Sequence, residues 1–151
     1  MSDLSKYKYL LENMSVKITD GQKKPNKAIM LLSVIDLIRC GYITDNRIYI
    51  ENTIQEAFEY NWRKYVNPNP PTCWTPFWHL KKESFWHFVP IVKNFDIESI
   101  VPSGQTASFW QIRLHIKYAY IDQELYELLV DKSFRTEITR LLYRTYLILD
   151  K

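Results

Sequence analysis

Lys27-Ala28-Ile29-Met30-Leu31-Leu32-Ser33-Val34-Ile35-Asp36-Leu37-Ile38-Arg39 is apolar around most of a helical circumference. A helix of that kind has no face to give to water and belongs in the middle of a core. Gly41 follows at the position where left-handed backbone closes a helix. Just before it, Lys23-Lys24-Pro25-Asn26-Lys27 sets three cations, a stiff ring and a polar residue at the helix start. Asn is a favoured N-cap, so the spacing predicts Asn26 as the cap. The N–H groups of Lys27, Ala28 and Ile29 would then point outward with partial positive charge. Beside three lysines they suit an anion, most naturally a phosphate. The same residues serve equally well as the solvated start of a core helix.

Working outward, residues 4–14 read as a short helix with Tyr7, Leu10, Leu11 and Met14 on one stripe. Residues 15–22 read as a polar connector ending at Asp20-Gly21, and 47–50 as a short strand. Thr53, with Glu56 at the capping-box spacing, opens a helix that carries Ile54, Ala57, Phe58, Asn61, Trp62 and Tyr65 on one face. Asn67-Pro68-Asn69-Pro70-Pro71 is a stiff non-helical loop. Two aromatic runs, 77–80 and 85–89, are separated by Lys81-Lys82-Glu83-Ser84 and predict a β-hairpin that sets His79 near His87. Residues 91–116 give the weakest signal, although the alternation over 109–116 favours a strand over a helix. Asp122 caps a helix with Leu125, Leu128 and Leu129. Ser133 caps a last one with Phe134, Ile138, Leu141, Leu142 and Leu149 inward. The expected fold is α+β, a single compact domain over residues 1–151 with about five helices packed on a small antiparallel β-sheet.

Composition narrows the function. A chain of 151 residues with 46% hydrophobic and 25% charged residues suits one soluble domain with a sizeable core. Three glycines leave no glycine-rich phosphate loop, and a net charge of +3 is compatible with nucleic acid. Two cysteines without a CxxC pair make no disulfide framework, so a reduced cytoplasmic setting is expected. No apolar run reaches a membrane span, so no membrane partner is expected. No Glu-x-Lys or Asp-x-Lys occurs, which argues against the common metal-dependent nuclease core. His79 and His87 without a placed carboxylate make a weak metal site. Cys40 reads as a buried helix residue, and Cys73 has no triad around it. Neither catalytic residues, nor a metal, nor a cofactor is expected, and a binding module is the better class.

The Lys23–Ala28 stretch (residues 23–28), Thr75-Pro76-Phe77-Trp78-His79-Leu80, the downstream Ser84-Phe85-Trp86, and Ala119-Tyr120-Ile121 before Leu125-Tyr126-Glu127-Leu128-Leu129 form a pattern across residues 10–148. It resembles the sulfur-binding domain of phosphorothioate-dependent restriction endonucleases of the McrA type, most specifically in Pro-Phe-Trp-x-Leu followed by Phe-Trp. The chain departs from that pattern at Asn26, where His is usual, at Ala28, where Pro is usual, and at Thr75, where an aromatic is common beside what is here Trp74.

The resemblance implies a non-catalytic module that recognises double-stranded DNA carrying a phosphorothioate. Such a module is the reading head of a modification-dependent restriction system in bacterial defence, partnered by an HNH or other nuclease domain or subunit. It also implies a two-part site. Lys27 and the helix start at Asn26 would hold the charged oxygen, with Lys23, Lys24 and Pro25 in the same charged, DNA-binding half. Trp74, Thr75, Pro76 and His79 would wall the sulfur, which is larger, more polarisable and less well hydrated. Pro76 would supply apolar surface without a donor. Lys117 and Tyr118 would add contacts. Core packing is the competing role for Phe77, Trp78, Phe85 and Trp86, and is expected of at least two; for Pro76 the competing role is a plain turn. Two other functions stay open: a domain for unmodified or otherwise modified DNA, and a protein-interaction domain that uses the aromatic loop.

Overall fold

The helix without a polar face forms the axis of the molecule. In the computed structural model, which describes residues 3–148, the chain begins with α1 (Asp3–Glu12) and a hairpin of β1 (Ile18–Thr19) and β2 (Gln22–Lys23). Then come α2 (Asn26–Arg39), β3 (Arg47–Ile48), α3 (Asn52–Tyr65), α4 (Trp74–His79) and β4 (Trp86–Pro90). The rest is α5 (Phe109–His115), β5 (Ile116–Ile121), α6 (Gln123–Val130) and α7 (Lys132–Leu142). α2 is buried on all sides over its first turns and packs against α3, α4, α6 and α7. Gly41, at φ +82, closes it, its N–H donating to Ile38 O at 3.1 Å. That left-handed conformation is one an L side chain rarely adopts, so glycine is needed there.

The fold is α+β, as expected, with seven α-helices among the described residues rather than about five. The antiparallel sheet has the order β3-β5-β4. Val89 faces Tyr118 and Pro90 faces Ile116, which leaves Lys117 as the extra residue of a β-bulge. One contiguous core joins both layers and takes in Phe77, Trp78, Phe85 and Trp86, so all four aromatic residues pack inward. Among the described residues no helix is long and apolar enough to cross a membrane.

Several local expectations are corrected. The connector at 15–22 holds the β1–β2 hairpin, whose turn residues Asp20 and Gly21 both have positive φ, as a tight I′-type turn requires. The aromatic run at 77–80 is not a strand. Cys73 O accepts the Phe77 N–H at 3.0 Å, Pro76 sits in the first turn of α4 where no N–H is needed, and a single 3₁₀ turn, Leu80–Lys82, follows. The segment 109–116 is helix α5 up to His115, set by a capping box between Ser108 and Gln111 at 2.9 and 3.2 Å.

Other caps also shift. No Thr53–Glu56 box forms, and Asn52 Nδ2 donates to Glu56 Oε1 instead. Asp131, not Ser133, caps α7, accepting from the N–H groups of Ser133 and Phe134. Asp122 stands at the α6 N-cap, but its carboxylate accepts from Tyr7 Oη and pairs with His87 Nε2, both at 2.6 Å. Cys40 is exposed at the end of α2. Leu149 lies outside the described residues.

Candidate nucleic-acid interface

Three chain segments meet around a cleft of about 340 Å³, on the order of ten water volumes. Ser15, Val16 and Lys17, after α1, form one wall. Lys24, Asn26 and Lys27, at the start of α2, form the floor. Thr75, Pro76 and His79 of α4, with Lys82 just beyond, form the second wall, and Gly104 and Thr106 close the rim. The hairpin sets the first wall against the floor, since Lys24 N donates to Lys17 O at 2.8 Å.

The α2 start presents free donors, though not as the spacing predicts. Pro25, not Asn26, is the N-cap, and no side chain caps this end. Pro25 O accepts the Ile29 N–H at 2.9 Å, which leaves the N–H groups of Asn26, Lys27 and Ala28 ahead of the ladder. Asn26 Oδ1 is enclosed without a partner. Oxygen and nitrogen of an amide interchange by rotation about its last bond, so the same side chain can offer an NH₂ to an anion.

Charge in the cleft is divided. Lys17, Lys24 and Lys82 are exposed and make no ion pair among the described residues. Lys27 differs: it is buried, and its Nζ donates to Glu83 Oε2 and to Ser15 O, each at 2.6 Å. His79 Nε2 lies 2.6 Å from Thr106 Oγ1. Desolvation holds the His79 imidazole below its ordinary pKa, helped by Lys82, Lys27, Lys81 and Lys24. The apolar side is Pro76, buried in the first turn of α4, with Val16 opposite.

The cleft thus gathers Lys24, Asn26, Lys27, Thr75, Pro76 and His79 from the sequence expectation. It does not gather the others. Lys23 lies on β2 with its ammonium 5.4 Å from the Tyr146 ring, and Pro25, the N-cap of α2, does not line the cleft. Trp74 is buried against Phe77 and Phe109, with ring centroids 5.3 and 5.1 Å away. Lys117 is the bulge residue, and Tyr118 packs on Tyr49 under the Arg47 guanidinium.

Lys17, Lys82 and Thr106 line the cleft and Glu83 pairs with its floor lysine, none of them expected there from the sequence. Lys82 alone carried a signal, two residues past the Pro-Phe-Trp-x-Leu run. His79 and His87 pair with different partners rather than with each other, and among the described residues no cluster of three or more metal-ligating side chains exists. Cys73 is buried, which pushes its thiol pKa well up and leaves it a poor nucleophile.

No family model matches the chain, and no curated protein matches it. Among solved structures it shares its fold with the sulfur-binding domain of SprMcrA complexed with phosphorothioated DNA. The TM-score is 0.72 at 14% sequence identity, over 99% of this chain and 89% of that one.

Proposed function

We propose that this chain is a DNA-binding module without catalysis of its own, which seats a phosphorothioate linkage in the cleft between α2 and α4. The observation that carries it is that one cleft joins the uncapped, lysine-flanked start of α2 to the Pro76 wall of α4. The free N–H groups and exposed lysines attract a backbone phosphate of any kind. The proline ring offers apolar contact and no donor, so it costs a weakly hydrated sulfur less than a strongly hydrated oxygen. The likeness in fold to a domain complexed with phosphorothioated DNA supports the reading. In this role the chain serves as the reading head of a modification-dependent restriction system, with a nuclease domain or subunit as partner. The aromatic residues Trp74, Phe77, Trp78 and Trp86 are buried, so they offer no docking surface for a protein partner.

The test compares duplexes identical except for one sulfur-substituted linkage. The substituted duplex should bind at least about tenfold tighter, about 1.4 kcal/mol. Equal affinity would instead assign the cleft to unmodified DNA, and no binding at low salt would remove DNA as the ligand.

A further inference from the structure

The floor lysine of a cleft suited to an anion is paired with a carboxylate that does not itself line the cleft. Glu83 follows the turn after α4. Its Oε2 accepts from Lys27 Nζ at 2.6 Å and from the Ser15 N–H at 3.1 Å. Lys27 Nζ closes the triangle by donating to Ser15 O at 2.6 Å. The Lys27 and Glu83 side chains are only 8% and 10% exposed, so little water screens the pair. Lys27 is the one lysine buried among the described residues, and its charge is cancelled where it stands. A site that only gripped phosphate would leave that cation free to donate charge-assisted bonds.

Building on the phosphorothioate reading, we infer that Glu83 is a specificity-determining counter-charge that restrains the cleft's hold on ordinary phosphate. An oxygen-only linkage must shed tightly held water to enter, and a cleft stripped of one full positive charge repays that loss poorly. A sulfur-bearing linkage sheds less water and gains contact with Pro76, so the cancelled cation handicaps it less. Glu83 also ties Ser15 to Lys27, which keeps wall and floor at fixed spacing.

Glu83→Gln keeps the side-chain shape and an acceptor oxygen and removes the charge. The plain duplex should then bind about tenfold tighter. Its log affinity should fall more steeply with log salt, by about 0.9, as one more phosphate is neutralised. The ratio of sulfur to oxygen affinity should shrink. Plain-duplex affinity at or below the parent's, with the ratio intact, would overturn the inference. If the parent shows no sulfur preference, the functional reading fails, while tighter plain binding by E83Q still upholds the counter-charge. Loss of one member of a buried pair destabilises a fold. Should E83Q melt too low for titration, inorganic phosphate should raise its melting midpoint more than it raises the parent's; equal shifts would also overturn the inference.

Discussion

At the scale of single residues, His79 reports on the cleft. Burial and four lysines hold its folded-state pKa below the ordinary value of about 6.5. The stability this contributes is fully present above that value and is lost as pH falls toward the folded pKa, because only the unfolded chain takes up the proton. A bound anion works the other way, since it favours the imidazolium, so binding takes up a proton in the same window. Between about pH 7.5 and pH 5.5 the free protein should lose thermal stability while its affinity for a plain duplex rises. His79→Gln should flatten both trends. Melting curves and titrations at the two pH values decide it, and an affinity independent of pH would mean that His79 does not face the anion. The residues that build this site were legible where chemistry was local: Lys24 through Lys27 announce a charged helix start. The state of Lys27 was not legible, because its partner Glu83 lies 56 positions away and only the folded chain brings them together.

At the scale of elements, α4 matters most. Pro76 is its third residue and lines the cleft, so the first turn of α4 lacks one N–H there. Pro76→Ala removes the ring and restores a donor whose helical acceptor would fall before the cap at Cys73. The new N–H favours oxygen and the missing ring disfavours sulfur, so the preference should fall several-fold while plain-duplex affinity holds or rises. The parent and P76A titrated side by side against both duplexes measure this; an equal loss for the two duplexes would refute Pro76 as the sulfur wall. Stability should fall by about 0.4–1 kcal/mol, since alanine frees the unfolded chain. The sequence of this element suggests a strand because Phe77 and Trp78 are both buried. Apolar residues on every side erase the difference between a period of 2 and one of 3.6. α5 misleads for the opposite reason. Trp110 and Leu114 are large and exposed, so the outer face of the helix mimics an inner one. The Ser108–Gln111 capping box is the readable signal there. α2, long and unambiguous, is legible to within a residue of its observed bounds.

At the scale of the whole molecule, the formal charge of +3 understates the field at the cleft. Lys8 pairs with Glu137 and Lys81 with Glu98, and the buried Lys27 is cancelled by Glu83. Lys17, Lys24 and Lys82 keep their charge, come from three separate segments, and converge only because the hairpin and α4 flank the α2 start. All three line the one cleft, and exposed charges act over a Debye length of about 8 Å, so they bear on a phosphate run seated there. Exposed to water, they act on net charge alone, which is the same for both linkages, whereas the Lys27–Glu83 pair acts where water has been shed. Replacing all three by alanine should therefore weaken plain and substituted duplexes alike. It should lower the slope of log affinity against log salt by up to about 2.7, at about 0.9 for each phosphate that is no longer neutralised. The sulfur-to-oxygen ratio should stay at the parent's value. The lysines are exposed, so each substitution should change stability by no more than about 0.5 kcal/mol, and a thermal melt checks that the effect is one of binding. An unchanged slope would place the DNA on another face. A collapsed ratio would mean that the charge of the exposed lysines and sulfur recognition are not separable, and that the division between a lysine-rimmed α2 start and a Pro76 wall is wrong.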